Sequence, residues 1–387
     1  MRFLHTADWH TGKTLRGRSR LDEQEQVLAE ILDIARRERV DCLLVAGDLF
    51  DSYAPGPDAE RLVYDFFAEL VRAWIFAVVI GGNHDHPRRL GALSRLLDPL
   101  RIIVRGEWPG ARGSGVVHID KDGERAVIAA LPWVAERQIV DIAQLRQTES
   151  GGSGVYGEGI GAICDGLTAE FSRETVNVFM GHMHVAGALV SGSERASHVA
   201  LPYAVPAERL PASAHYIALG HLHRPQEVKA GAPCAYAGSP LQLDFGEREQ
   251  VKRVVLVDAA APAGPAHVES IPLSSGRRLR DLTLALEEMD SIAAGAGDDW
   301  LRVVVRTAAP VPGIAAELRR SLPNALDVRQ EFPTQPVAER PPLSSFLEPA
   351  QLFAAYYQER HGTAPPPELL QRFGELYEEV SHSPHSA

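Results

Sequence analysis

Short β-branched apolar runs alternate with longer amphipathic stretches through the first 260 residues, the pattern of sheets covered by helices. The runs predict strands at Arg2–Thr6, Asp41–Ala46, Phe76–Ile80, Val116–Ile119, Ala126–Leu131, Val176–Met180, Tyr216–Gly220 and Val254–Asp258. Helical spacing of apolar residues predicts helices over Leu21–Arg37, Asp58–Val71, Arg89–Leu97 and Ile160–Phe171, with a mobile Gly/Ser loop at Ser150–Gly154. The Ala/Pro stretch Ala259–Ala266 reads as a domain boundary. Beyond it, Leu279–Met289, Leu301–Thr307, Gly313–Ser321 and Leu326–Glu331 predict a small helix–strand–helix–strand unit. A Pro-rich linker, Phe332–Pro342, leads to two amphipathic helices, Phe346–Gln358 and Pro367–Val380, joined by the turn His361–Pro366. Two isolated helices cannot bury Leu352, Phe353, Tyr356, Tyr357, Leu369, Leu370, Phe373, Leu376 and Tyr377 alone, so they are expected to dock on something. The expected division is 1–260, 270–332 and 343–381.

Composition narrows the setting. A formal charge of −12 argues against a protein that coats nucleic acid by bulk electrostatics, although bound cations and local basic patches can reverse the potential at a site. Cys42, Cys164 and Cys234 are odd in number and far apart, which gives neither a disulfide framework nor a Cys-x-x-Cys zinc site. The start Met1–Leu4 runs into His5 and Asp8 too soon for a signal peptide, and Ala73–Ile80 is too short to span a bilayer. A cytoplasmic protein, nucleoid-associated and without membrane partners, is expected.

The candidate chemistry lies where strands end. Five separated apolar runs exit into Asp, Asn or His: at Asp8-Trp9-His10, Gly47-Asp48, Gly81-Gly82-Asn83-His84-Asp85, Gly181-His182 and Gly220-His221-Leu222-His223. Ligands of α/β sheets gather at the carboxyl ends of strands, so these tips can share one crevice. Imidazole, carboxylate and amide donors without thiolate suit Mn²⁺, Fe²⁺ or Zn²⁺ outside a structural zinc site. Asp8, His10, Asp48, Asn83, His182, His221 and His223 are too many donors for one ion and about right for two. A shared carboxylate must hold such a pair together, and Asp48 is the natural candidate. Gly12-Lys13-Thr14 is no P-loop, because that motif needs Gly where Ala7 stands.

The ordered blocks Asp-x-His, Gly-Asp-x-x-Asp, Gly-Asn-His-Asp, Gly-His and Gly-His-x-His resemble those of the calcineurin-like metallophosphoesterases. The resemblance implies an α/β fold: a β-sandwich flanked by helices, with a dinuclear centre at its edge. One metal would be held by Asp8, His10, Asp48 and His223, the other by Asp48, Asn83, His182 and His221. His84 would be the catalytic histidine that contacts the scissile phosphate and stabilises or protonates the leaving oxygen, with Asp85 orienting it. Within that superfamily the chain looks like bacterial DNA nuclease subunits over nearly its whole length. The residues that carry this are His5 to Lys13, His86-Pro87, Arg224-Pro225-Gln226 and Ala237 to Phe245, with a small α+β capping domain and a terminal helical pair.

That finer resemblance implies two divalent ions, most naturally Mn²⁺, and DNA as substrate. It implies 3′-to-5′ exonuclease action on double-strand ends and endonuclease action on hairpins and single strands, in repair and recombination. It also implies an ATPase partner with a long coiled coil, whose base the terminal helices grip, in a heterotetramer of two copies of each. A homodimer contact is expected at Leu90–Leu97. Arg16, Arg18 and Arg20 beside the first block, and Arg88 and Arg89 after the third, are candidate DNA phosphate contacts. Asp51 is expected to anchor its loop, His184 to sit behind the metal ligands, and His5 to be a satisfied core histidine. The competing readings are a phosphodiesterase for a small substrate such as a cyclic nucleotide, and a nonenzymatic scaffold with a relict site.

Overall fold

The computed structural model describes residues 1–110, 115–135, 138–139, 155–194, 203–262, 264–285, 288, 297–333 and 349–381. They fall into two compact units, Met1–Glu331 and Phe332–Ala387. In chain order the first unit contains β1 (Arg2–Thr6), α1 (Leu21–Arg37), β2 (Cys42–Val45), α2 (Pro57–Arg72), β3 (Phe76–Ile80), α3 (Pro87–Leu97), β4 (Ile102–Arg105), β5 (Val116–Lys121) and β6 (Glu124–Leu131). It continues through α4 (Val155–Leu167), β7 (Val176–His182), β8 (Tyr216–Gly220), β9 (Gln226–Glu227), β10 (Cys234–Tyr236), β11 (Arg253–Asp258) and β12 (His267–Pro272). It closes with β13 (Leu279–Ala285), β14 (Trp300–Arg306), α5 (Ile314–Ser321) and β15 (Ala325–Glu331). The second unit carries α6 (Pro349–His361) and α7 (Pro367–Ser381).

Two six-stranded sheets, ordered β12-β11-β1-β2-β3-β4 and β5-β6-β7-β8-β10-β9, form the heart of the first unit. β1 to β4 run parallel to one another, as do β6, β7 and β8. Alternate residues of a strand face opposite ways, and here both ways are dry. Phe3, Cys42, Leu44, Val78 and Ile80 meet Ile128, Val178, Met180, Tyr216 and Ala218 between the sheets. Leu4, Leu43, Val45 and Val79 point outward against Ile31, Phe66, Phe67 and Leu90 of α1 to α3. On the far side Phe179, Ile217 and Leu219 are covered by Ile160, Ile163 and Cys164 of α4. The layering is therefore helix, sheet, sheet, helix, and the strands that carry the donor blocks all end on one edge.

Several expectations need correction. Leu279–Met289, expected as a helix, is the strand β13 through Ala285, parallel to β14 at every position. Leu282 and Leu284 turn toward Leu301, Val303, Val305, Ile314 and Leu318 while Thr283 points out, so strand pairing overrides helix propensity. The fourth helix runs Val155–Leu167 rather than Ile160–Phe171, and the Thr168 hydroxyl caps it by donating to the Cys164 carbonyl at 2.9 Å. Ala259–Ala266 lies in a hairpin connection, because β12 pairs antiparallel with β11 and carries the first sheet on to Pro272. Ser150–Gly154 and most of Phe332–Pro342 lie outside the described residues.

In the second unit Phe353 and Phe373 stack between the two helices at 4.4 Å between ring centroids. Leu352, Tyr356, Leu369, Leu376 and Tyr377 remain exposed. On α3, Leu96 is exposed but Leu90 is buried in the core, so Leu90 cannot belong to a contact surface. Among the described residues, no helix is long and apolar enough to cross a membrane.

Candidate metal centre

The site begins with tight, left-handed exits from the strands. Asp8, His10 and Asp48 have φ of 53°, 46° and 52°, a region that Asp, Asn and His enter more readily than other residues with a Cβ. The two loops zip together: Asp8 N–H donates to Gly47 O at 2.9 Å and His10 N–H to Asp48 O at 3.0 Å. Gly47 is required twice over, by its φ of 94° and because a Cβ would sit 2.2 Å from His182 Nδ1. A Cβ on Gly82 would likewise lie 2.1 Å from Asp48 Oδ1.

All seven proposed donors are buried and converge, although up to 215 positions separate them in the chain. Asp48 is central. Its Oδ2 lies 3.5 Å from His10 Nε2 and 3.4 Å from His182 Nε2, while Oδ1 accepts the His84 N–H at 2.8 Å. On one side His10 Nε2 faces His223 Nε2 at 3.0 Å. On the other, Asn83 Oδ1 is 3.0 Å from His182 Nε2 and 2.9 Å from His221 Nδ1. Asp8 Oδ1 accepts the His221 N–H at 2.8 Å, and Asp8 Oδ2 is buried without a hydrogen-bond partner. Two groups, Asp8, Asp48 and His182, and His10, Asp48 and His84, have the spacing to hold a metal ion, and Asp48 belongs to both.

This geometry fits cations. Facing nitrogen lone pairs at His10 and His223, and an orphaned carboxylate oxygen on Asp8, repel or go unsatisfied until a proton or an ion lies between them. His182 Nδ1–H donates to Ala46 O at 2.8 Å, which turns Nε2 toward the cluster. Burial raises the Asp8 carboxyl to about 7, with Asp48 nearby adding to the effect against the opposing pull of His182 and His223. Burial would raise Asp48 as well, yet His182, His10 and His84 together hold it well below the usual carboxylate range. Burial also works against the charge on His182, but Asp48 and Asp8 outweigh it and lift that histidine to about 9. His10 is pushed by burial down to about 4. Histidine protons thus offset carboxylate charge here, and divalent ions would displace them.

The surroundings go beyond expectation in four places. The Asp85 oxygens accept the N–H groups of Leu49, Phe50 and Gly82 at 3.0–3.1 Å and pin the loops together around His84. The His84 ring itself meets Asp51, whose carbonyl lies 2.8 Å from His84 Nδ1. The Asp51 carboxylate also contacts His10 Nδ1 at 3.1 Å and Lys13 Nζ at 3.0 Å, so this residue positions two histidines rather than only its own loop. Trp133 stacks on His221 at 5.1 Å and was missed, because a lone Trp after a strand carries no pattern. Glu247 and Lys252 behind His223 were also missed: they stand among charged residues in a stretch that reads as surface.

The basic candidates separate. Arg20 is only 3% exposed, paired with Glu23 at 2.7 Å, and cannot be a phosphate contact without breaking that buried pair. Arg16, Arg18, Arg88 and Arg89 are all exposed, with Arg16 lying 3.8 Å from Asp327 and Arg89 paired with Glu60. His184 is buried with Nδ1 unpartnered, and His5 is only half satisfied: its Nδ1 meets the Tyr216 hydroxyl at 2.9 Å while Nε2 is buried without a hydrogen-bond partner.

Fold and site together define the phosphoesterases whose metal centre sits at the edge of a helix-flanked β-sandwich, and the calcineurin-like phosphoesterase family model matches residues 1–225. The chain belongs to that family and, within it, to the family of SbcCD nuclease D subunits. It is 36% identical to the D subunit of nuclease SbcCD from Bacillus subtilis (strain 168) over 386 residues, covering 97% of both chains. Its similarity to the Rhodobacter capsulatus protein of the same name is 33% identity over 388 residues, 92% of this chain and 94% of that one. The Escherichia coli (strain K12) protein of that name is 30% identical over 268 residues, 66% of this chain and 64% of its own.

Proposed function

We infer that this chain is the metal-dependent nuclease subunit of an SbcCD-type complex, cutting DNA phosphodiesters at double-strand ends from 3′ to 5′, and at hairpins and single strands, together with the ATPase SbcC. The observation that carries the reading is the convergence of Asp8, His10, Asp48, Asn83, His182, His221 and His223 around the one carboxylate of Asp48. Family membership along almost the whole chain supports extending it from phosphoesterase to nuclease. Asp8, His10, Asp48 and His223 would hold one ion, and Asp48, Asn83, His182 and His221 the other, with Mn²⁺ suited to this set of nitrogen and oxygen donors. Two divalent ions supply activation of water and neutralisation of charge on the phosphodiester.

The chain's own residues do the rest. The Asp51 carbonyl fixes His84 Nδ1, which leaves Nε2 as the nitrogen to meet the phosphate and hand a proton to the departing oxygen. The Trp133 ring against His221 walls the site and keeps that imidazole in orientation. Exposed Arg16, Arg18, Arg88 and Arg89 are kept as DNA phosphate contacts. The exposed Leu352, Tyr356, Leu369, Leu376 and Tyr377 suit docking on the SbcC coiled coil, and Leu96 a homodimer contact, in an assembly of two copies of each protein.

The test is Mn²⁺-dependent degradation of an end-labelled duplex by the chain alone and with SbcC and ATP, beside a generic phosphodiester dye. Duplex cleavage that disappears in Asp48→Asn is the expected result. Dye turnover with DNA left intact under both conditions overturns the nuclease reading in favour of a small-substrate phosphodiesterase.

A further inference from the structure

Behind His223 lies a buried polar cluster that no donor block announces. His223 Nδ1 is 2.6 Å from Ser193 Oγ and 3.3 Å from Glu247 Oε1, and the Ser193 hydroxyl donates to the same Glu247 oxygen. Glu247 is fully buried, and its Oε2 accepts the Leu243 N–H at 3.0 Å and Lys252 Nζ at 2.7 Å. Lys252 Nζ in turn donates to the His223 carbonyl at 2.9 Å, to Ser239 Oγ at 2.9 Å and to Gln250 Oε1 at 2.8 Å. Ring and backbone of one histidine are thus gripped by a single ion pair.

A buried ion pair is a poor source of net stability, since desolvating two charges offsets most of their attraction. Its placement has a sharper consequence. With Nδ1–H directed at Ser193 and Glu247, His223 must present its Nε2 lone pair inward, at the point where it faces His10 Nε2. An imidazole oriented by a carboxylate on its far nitrogen is also a more basic ligand.

Building on the metal-centre reading, we propose that Glu247, with Ser193 as the intervening hydroxyl and Lys252 as its counter-charge, is the positioning residue that fixes the tautomer and direction of His223 for the cation held on the His10 side. Glu247 touches no substrate and acts only through His223. Ser193, Glu247 and Lys252 all engage His223, ring or backbone, so the effect is expected on the ion at the His10 side of Asp48.

The experiment is calorimetric Mn²⁺ titration of the full chain, with long-range ¹H–¹⁵N spectra of histidine-labelled, metal-free protein, for wild type, Glu247→Gln, Ser193→Ala and the double variant Glu247→Gln/Lys252→Met. Wild type should bind in two steps and show His223 protonated at Nδ1. Glu247→Gln should weaken one step by about 10–100-fold, the usual effect of losing such a partner, and leave the other unchanged. Because Glu247→Gln strands a buried lysine, the double variant separates folding from positioning: it should recover the thermal midpoint without recovering the weakened step. Wild-type affinity at both steps in Glu247→Gln, or recovery of midpoint and affinity together in the double variant, overturns the proposal. A wild-type chain that takes up no divalent cation overturns the metal-centre reading itself, which is a different and recognisable failure.

Discussion

Two histidines and two aspartates show how burial sets the chemistry of single residues. Asp8 and Asp48 share one dry site, where one carboxyl is raised by burial and the other is held ionised by the histidines around it. Replacing Asp48 by Asn removes the oxygen between His10 and His182, so cleavage should fall by more than the roughly 10–100-fold typical of losing an outer partner, with metal content falling too. His84 should behave differently. Its Ala variant should lose about 10²–10⁴-fold in kcat, as for a missing general acid, while Mn²⁺ content by elemental analysis stays at the wild-type level. Equal losses of kcat and metal would remove its assigned role.

His5 gives a pH prediction away from the metal residues. Burial pushes it down to about 3 from an unfolded value near 6.5, so the unfolded chain binds more protons between those values. Stability contributed by keeping His5 neutral is present above about 6.5 and is lost as pH falls toward 3. Denaturant midpoints should therefore drop less steeply across that window in His5→Phe than in wild type. An unchanged slope would contradict the shift.

At the scale of elements, legibility followed locality. β1, β3, α1 and β8 were readable to the residue because each carries its own period and its own stop. β13 was not readable, because Leu279–Ala285 is a strand only by virtue of the β14 edge it pairs with. The two-residue β9 and three-residue β10 are too short to show any period at all. The donor blocks were legible since strand ends and residue types are written locally. Trp133, Glu247 and Lys252 act through contacts with residues far along the chain, and no local signal marks them; Asp51 is marked by its Gly-Asp-x-x-Asp block, but its reach to His10 and His84 is not. A similar long-range tie joins α1 to β14: Glu23 pairs with Arg20 and accepts the Trp300 indole N–H at 2.8 Å. Glu23→Ala would leave buried Arg20 unpaired and should cost about 3–5 kcal/mol in urea unfolding. A cost within experimental error would show the tie to be dispensable.

The whole molecule is acidic and its proposed substrate is an acidic polymer, and a metal centre at the strand ends would reconcile the two. Cations held at Asp8, Asp48 and their histidines would invert the local potential where a phosphate would sit, while the net charge of −12 leaves little general attraction for DNA. Ion binding at a site made from five strand ends should also stabilise the fold they belong to. Mn²⁺ at about 100 times its dissociation constant should add roughly 2.7 kcal/mol per site, seen as a rise in thermal midpoint that Asp48→Asn loses. A midpoint indifferent to Mn²⁺ would mean that the ions do not bind these strand ends.

The most direct measurement is anomalous diffraction from crystals of the chain soaked in Mn²⁺. Two peaks are expected to flank the Asp48 carboxylate, one bounded by His10 and His223 and the other by Asn83, His182 and His221. Peaks elsewhere, or a cluster that stays without metal while the protein cleaves DNA, would contradict this arrangement.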